Sequence, residues 1–269
     1  MPGRPVLLGL PYDASSSYLR GAADAPRHIR DALRTSASNP WSERIVASAT
    51  PEVLEDAGDL DLPATGENRA IIETAIRDLV AQDRRVIALG GDHSITYPIV
   101  RAVGKAFRNL TILQIDAHPD LYDEFEGDRF SHACPFARIL EEGLAVRLVQ
   151  VGIRAMTGHG REQATRFGVE QIDMRAWADG ARPGVEGNVY VSIDLDGLDP
   201  AFAPGVSHRE PGGLTVRDVL TMIEGLTGQL VGADIAEFNP RQDPLGLTAP
   251  VAAKFVKELV AKFLDDERP

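Results

Sequence analysis

The chain has 269 residues, 43% of them hydrophobic and 25% charged, with a net charge of -12. That is ample apolar material for a buried core and the balance of an ordinary globular protein. The acidic surplus excludes nucleic acid and anionic membrane as general partners and suits a cationic substrate.

Strand-like and helix-like segments alternate along the chain. Pro5 to Leu10 is a short apolar strand, followed by Pro11-Tyr12-Asp13, a Ser-rich turn, and a helix from about Ala22 to Leu33. Residues 34 to 68, rich in Pro, Ser, Thr and Asp, show no clear period. Ile71, Ala75, Ile76, Leu79 and Val80 recur at three and four, which predicts a helix over Ala70 to Gln82. Arg85 to Leu89 reads as a strand stopped by Gly90-Gly91, then comes a helix near Ile95 to Phe107 and the strand Leu110 to Ile115.

The second half keeps the rhythm. A helix over Phe136 to Glu142 precedes a strand over Arg147 to Ile153 and a helix near Arg161 to Phe167. Val189 to Ile193 is a strand, Thr215 to Leu226 an amphipathic helix with Thr215 as its cap, and Val231 to Ile235 the last strand. Pro250 to Phe263 closes the pattern as a helix with Pro in its first turn. No internal repeat or low-complexity linker interrupts it, so residues 1–269 read as one domain. Alternating β and α elements with near-continuous apolar strands predict a three-layer α/β/α sandwich around a mainly parallel sheet.

The single cysteine, Cys134, excludes an intrachain disulfide framework and fits a reducing compartment. It reads as a buried thiol rather than a nucleophile, although His132 lies two residues before it. No apolar stretch approaches the roughly 18 residues needed to span a bilayer. The run from Met1 to Leu10 is too short for a signal-peptide core. These features predict a cytoplasmic protein without membrane or nucleic-acid partners.

The acidic and imidazole chemistry is concentrated at strand ends, where open α/β sheets place their clefts. Asp116-Ala117-His118-Pro119-Asp120 follows one apolar run and Asp194-Leu195-Asp196 another. In extended backbone, side-chain alternation would turn each set of ligands to one face. Five oxygen and imidazole ligands exceed what one ion usually takes from protein, so the pair reads as a binuclear metal site. Two further strand ends carry Gly91-Asp92-His93 and Asp234 to Glu237.

Gly90-Gly91-Asp92-His93-Ser94, Asp116 to Asp120, and Ser192-Ile193-Asp194-Leu195-Asp196-Gly197-Leu198-Asp199-Pro200 together resemble the signature motifs of the ureohydrolases. That superfamily includes arginases, agmatinases, guanidinobutyrases and formimidoylglutamases. The segments Asp120 to Gly127, Phe130 to Ala133 and Ala203 to His208 resemble plant-type arginases more narrowly. The resemblance runs from about Leu8 to the C-terminal helix. It implies an arginase-like fold, two Mn²⁺ ions, a small cationic guanidino substrate, and a homotrimer or homohexamer.

Carried over by motif position, the resemblance gives His93 and Asp120 to one ion and His118 and Asp196 to the other, with Asp116 and Asp194 bridging. A metal pair roughly 3.5–4 Å apart lowers the pKa of water held between its ions to about 7. Asp120 would orient that water and take its proton. Glu237 matches the glutamate that binds the guanidinium, and His132 the histidine that hands a proton to the leaving amine. Urea and an amine would be the products.

Arginine is the preferred substrate, with agmatine the alternative, then 4-guanidinobutyrate or formimidoylglutamate. His208, Arg209 and Glu210 interrupt a loop that typically runs Gly-Thr-Gly-Thr-Pro, and Arg154 or Arg209 is a candidate partner for a substrate carboxylate. Tyr122 lies in the other loop bearing on this choice. A catalytically silent binding homologue would lack a ligand, and none is missing; a single-zinc deacetylase would need fewer carboxylates. Asp92 reads as a capping group, Asp199 as a turn former, His28 and His159 as local hydrogen-bonding residues, and Asp234 as an orienting group rather than a ligand.

Overall fold

The computed structural model describes residues 3–265. Eight strands form a single sheet: β1 (Pro5–Gly9), β2 (Glu55–Asp59), β3 (Arg85–Leu89), β4 (Leu110–Ile115), β5 (Arg147–Val151), β6 (Glu170–Ile172), β7 (Asn188–Asp194) and β8 (Gln229–Ala236). Their spatial order is β2-β1-β3-β8-β7-β4-β5-β6, and every pairing is parallel. Eight helices cover it: α1 (Ala25–Arg34), α2 (Glu67–Ala81), α3 (Thr96–Ala106), α4 (Pro135–Glu141), α5 (Gly158–Phe167), α6 (Met174–Ala178), α7 (Val216–Glu224) and α8 (Thr248–Asp265).

Side-chain alternation along each strand divides the apolar residues between two cores. On β3, Ile87 and Leu89 face one core while Val86 and Ala88 face the other. The first core receives Ile29 of α1, Val219 of α7 and Phe255 of α8. The second receives Ile72 and Ile76 of α2, Val100 and Val103 of α3, and Phe136 of α4. A parallel sheet buried on both faces is what the near-continuous apolar strands require, and the three-layer expectation holds.

The structure adds two strands and one helix to the sequence reading. Strand β2 is Glu-Asp-Ala-Gly-Asp, a sheet-edge segment whose residues are half-buried or exposed and so carry no apolar signal. Strand β6 has three residues at the opposite edge. Both form because a neighbouring strand supplies the hydrogen-bonding template. A 3-10 turn at Ala22–Asp24 precedes α1, and α8 begins at Thr248 with Pro250 inside its first turn.

The sheet order matters more than the strand count. The four strands whose ends carry the acidic and imidazole motifs are β3, β8, β7 and β4, which are adjacent at the centre of the sheet. Parallel pairing brings all four C-terminal ends to one edge.

The loop after β1 closes over this edge. Gly91 donates to the Leu10 carbonyl at 3.2 Å, and Asp92 donates to the Tyr12 carbonyl at 2.8 Å. A Cβ on Gly91 would stand 1.9 Å from the Tyr12 oxygen, so only glycine lets the two segments pass. Gly91→Ala should therefore destabilise the fold by about 3 kcal/mol, the upper part of the range for overpacking a close contact. Urea denaturation measures this; an unchanged midpoint would contradict it.

Candidate active site

The motif residues converge above the central strands in two groups. His93, Asp116, Asp120 and Asp194 form the first, and Asp116, His118 and Asp196 the second. The His93 Nδ1 atom lies 2.9 Å from Asp120 Oδ2, 3.1 Å from Asp194 Oδ2 and 3.2 Å from Asp116 Oδ2. In the second group His118 Nδ1 lies 3.1 Å from Asp196 Oδ2 and 3.7 Å from Asp116 Oδ1. Asp116 is shared by both groups, whereas Asp194 falls only in the first.

The backbone route to this arrangement differs from the extended one expected. Asp116 Oδ1 accepts the His118 N–H at 2.6 Å, and Asp194 Oδ1 accepts the Asp196 N–H at 2.8 Å. Each aspartate closes an Asx turn on itself, so the chain bends and its alternate side chains separate. Asp120 then takes a left-handed φ of 49°. Bending sends Asp120 and Asp194 to the first group and His118 and Asp196 to the second, with Asp116 reaching both. Gly197 lets the two loops touch, because a Cβ there would lie 2.8 Å from the Asp116 amide nitrogen.

His93 supplies the sharpest sign of what these groups hold. Its Nε2 faces Ser192 Oγ at 2.9 Å, and Ser192 in turn donates to Asp234 Oδ1 at 2.8 Å. Asp234 Oδ2 is already occupied by Tyr190 OH at 2.7 Å and Thr96 Oγ1 at 3.1 Å. A serine that donates to Asp234 can only accept from Nε2, so Nε2 carries a proton and Nδ1 is the nitrogen turned toward the cluster. That Nδ1 is fully buried without a hydrogen-bond partner, facing three carboxylate oxygens. So many buried anions around one ring nitrogen call for positive charge there, a proton on the ring or a metal cation beside it. The donors are carboxylate oxygen and imidazole nitrogen without thiolate, a set that suits Mn²⁺.

The titration behaviour expresses the same excess of negative charge. Burial pushes the Asp120 carboxyl up to about 6, with the Asp116 charge adding to it and His93 opposing. Asp194 is raised well above the ordinary carboxylate range by burial, then by Asp196 and Asp116. Burial also acts to raise Asp116, but hydrogen bonds from His118 and His93 outweigh it and hold the group low. Burial opposes charge on His93, yet Asp116, Asp120 and Asp194 draw a proton toward it and raise it well above its usual value. A divalent cation would satisfy the carboxylates in place of that proton.

Beside the two groups lies a cavity of about 280 Å³, a size that holds a small ligand. Glu237, His132, Asp120, Ser17, Tyr122, Phe125, Thr157 and His208 are among its walls. Glu237 has a left-handed φ of 61°, and its Oε1 accepts the His93 N–H at 2.9 Å and pairs with His132 Nδ1 at 2.9 Å. Burial works against charge on His132, but the adjacent Glu237 carboxylate wins and lifts its pKa to about 9. His208 is held below its usual value by burial and packs 5.4 Å from His132, centroid to centroid.

Neither arginine singled out from the sequence is available to meet a substrate carboxylate. Arg154 spends its guanidinium on the carbonyls of Gly152, Asp196, Gly197, Leu198 and Glu210, clamping the Asp194–Leu198 turn. Arg209 is exposed and bonds the carbonyls of Pro204 and Gln242. Cys134 is buried with its thiol pushed up to about 12 by burial, which makes it no nucleophile. Asp92 caps the His93–Ile95 turn and Asp199 accepts from Ala201 and Gly212, as turn formers do. His28 bonds the Asp24 carbonyl, and His159 stacks on Tyr122.

Sequence reasoning missed the groups that orient the ligands. Gln171 donates to Gln150, Gln150 to Gln114, and Gln114 to Asp116 Oδ2 at 2.7 Å. Their signal was a glutamine inside otherwise apolar strands. Ser192 and Ser17 carried no signal of their own. Outer-shell partners of metal-ligating groups commonly control affinity 10–100-fold. Ser192→Ala should lower the affinity for a divalent ion at the His93 group by about that factor, measured by titration calorimetry with Mn²⁺, and unaltered binding would remove the orienting role.

Residues 4–261 match the family model of the arginase family. A protein named arginase 1, mitochondrial, from Oryza sativa is 47% identical over 274 residues, which cover 95% of this chain and 80% of that protein. Arginase 1, mitochondrial, from Arabidopsis thaliana is 48% identical over 275 residues, again 95% of this chain and 80% of that protein. The solved arginase from Medicago truncatula superposes with a TM-score of 0.91 at 43% identity, covering 97% of this chain and 87% of that one. These relatives overturn the cytoplasmic expectation, since they are mitochondrial by name. One cysteine and the lack of a long apolar helix among the described residues do not separate cytosol from an organelle's interior. The chain belongs to the arginase family, metal-dependent hydrolases acting on guanidino carbon–nitrogen bonds.

Proposed function

We propose that the chain is an arginase that hydrolyses L-arginine to ornithine and urea with two Mn²⁺ ions. The observation that carries this reading is the buried Nδ1 of His93, without a hydrogen-bond partner and set among three carboxylates. The identity to arginases over nearly the whole chain supports arginine over other guanidino compounds. His93 and Asp120 would hold one ion and His118 and Asp196 the other, with Asp116 and Asp194 between them. When bound, such a pair lowers the pKa of water to about 7 and so supplies a nucleophile that bulk solvent cannot.

The protein's own side chains account for the remaining steps. A guanidinium carbon is a poor electrophile because resonance spreads its charge over three nitrogens. Glu237 would accept charge-assisted hydrogen bonds from the planar N–H fork and hold that carbon in place. Asp120 would orient the attacking water and take its proton. The C–N bond to the amino-acid side then breaks, and the departing nitrogen needs a proton. His132, protonated up to about pH 9, would supply it.

Protein loaded with Mn²⁺ should release urea from L-arginine, with agmatine, 4-guanidinobutyrate and formimidoylglutamate (assayed for formamide) at least about tenfold poorer in kcat/KM, a margin of about 1.4 kcal/mol in transition-state binding. Metal analysis should find two Mn²⁺ per chain. Absence of turnover on all four substrates, or one zinc per chain without manganese activation, would overturn the reading. A second expectation concerns His132. The Glu237 anion raises its folded-state pKa from 6.5 to about 9, so its stabilisation is complete below pH 6.5 and is lost as pH rises through about 9. Glu237→Gln should bring that pKa back toward 6.5 in an NMR titration of metal-free protein; a pKa still near 9 would show that Glu237 is not its cause.

A further inference from the structure

Both ring nitrogens of His132 are already engaged. Nδ1 faces Glu237 Oε1 at 2.9 Å, and Nε2 faces Ser17 Oγ at 2.9 Å and the Ser17 N–H at 3.3 Å. The same Glu237 Oε1 accepts the His93 N–H at 2.9 Å, so this oxygen is an acceptor and the hydrogen of the His132 contact sits on Nδ1. Proton gain and loss therefore occur at Nε2. Of the two Ser17 groups beside Nε2, the backbone N–H can only donate, whereas the hydroxyl can donate and accept. Ser17 also lines the cavity.

We propose that the Ser17 hydroxyl relays the proton from His132 Nε2 to the departing amine. The step conserves atoms and charge. The Nε2–H bond breaks as a new O–H forms on Ser17, and the original Ser17 O–H breaks as an N–H forms on the amine. His132 ends neutral and Ser17 ends as it began. This proposal rests on the assignment of His132 as proton donor.

The loop that carries Ser17 is fastened for such a role. Asp92 Oδ2 accepts the Ser15 N–H at 2.9 Å and the Ser16 hydroxyl at 3.4 Å. The Ser15 carbonyl accepts the His132 N–H at 3.2 Å, which ties the loop to the residue that it serves. At the far end of the loop Asp13 accepts the Gly21 N–H at 2.7 Å, and Arg20 bonds the Ala14 carbonyl. Ser17 itself is exposed, and its hydroxyl contacts the His132 imidazole. The other titratable groups that act on His132 are Asp92 and Asp120, with His208 tilted against its ring.

The test compares wild type, Ser17→Ala and Ser17→Thr as Mn²⁺-loaded proteins. Ser17→Ala should lower kcat on arginine about 10–100-fold, a share of what general acid–base catalysis contributes, with KM changed less than about twofold. Ser17→Thr, which keeps the hydroxyl, should recover kcat to within about threefold of wild type, the difference left by one added methyl on an exposed loop. Wild-type kcat in Ser17→Ala, or a threonine variant as slow as the alanine one, overturns the relay. So does loss of bound metal in Ser17→Ala, which would assign the loop a structural role. Nitrogen-15 NMR of labelled histidine gives a readout independent of turnover: Ser17→Ala should shift the Nε2 resonance and leave Nδ1 protonated. An unmoved Nε2 signal overturns the contact itself. If wild type shows that contact but hydrolyses no guanidino compound, the functional reading has failed rather than the geometry.

Discussion

Uncompensated negative charge in a dry place is the constraint around which this molecule is organised. Asp116 and His93 are wholly buried, and Asp120, Asp194 and Asp196 nearly so. Moving a carboxylate out of water costs several kcal/mol even after relaxation, and here several lie within hydrogen-bonding distance of one imidazole. No hydrophobic gain could hold them together unaided. Much of the surrounding chemistry answers this problem: Asx turns that neutralise one oxygen with a backbone N–H, a glutamine chain that reaches Asp116, and a serine–aspartate pair that orients His93. What these bonds leave over is carboxylate charge that they do not neutralise, and that is the demand a divalent metal meets.

The fold answers the same demand by topology. The acidic loops hang from β3, β8, β7 and β4, four adjacent parallel strands whose ends coincide. Side chains from distant parts of the chain thus meet at one edge of the sheet. Rigid strands on one side and the Arg154 clamp on the other leave little freedom to the Asp194–Leu198 turn. Two residues of the site, Asp120 and Glu237, are held in left-handed φ, which costs a non-glycine residue about 1 kcal/mol or more.

The layered architecture and the residues of the cluster were legible because they carry strong local signals. Apolar runs ending in aspartate or histidine mark a buried strand meeting a polar edge, and nothing else in the chain looks the same. The geometry of the cluster was not legible. Extended alternation would put Asp116, His118 and Asp120 on one face, but the Asp116 carboxylate bends the chain by accepting from His118, a competition between side chain and backbone that residue spacing does not reveal. Strand β2 was invisible because an edge strand needs a partner rather than a pattern. Ser17 and Ser192 were invisible because a serine is among the least distinctive residues until its neighbour is known. Arg154 and Arg209 misled for the opposite reason: a guanidinium invites an anion, whereas these two are satisfied by carbonyl oxygens.

The position of β8 has a consequence for how the molecule comes into being. It is last of the eight strands in the chain, yet it lies between β3 and β7 at the middle of the sheet. Before it arrives, β2-β1-β3 and β7-β4-β5-β6 are two separate ribbons with no pairing between them. During synthesis the chain must therefore keep a slot open until nearly all of it has emerged, and only insertion of β8 brings His93 on one ribbon against Asp116 and Asp194 on the other. Metal capture at the His93 group becomes a certificate of completed assembly: before β8, which begins at residue 229, is in place, His93 is not held against Asp116, Asp120 and Asp194.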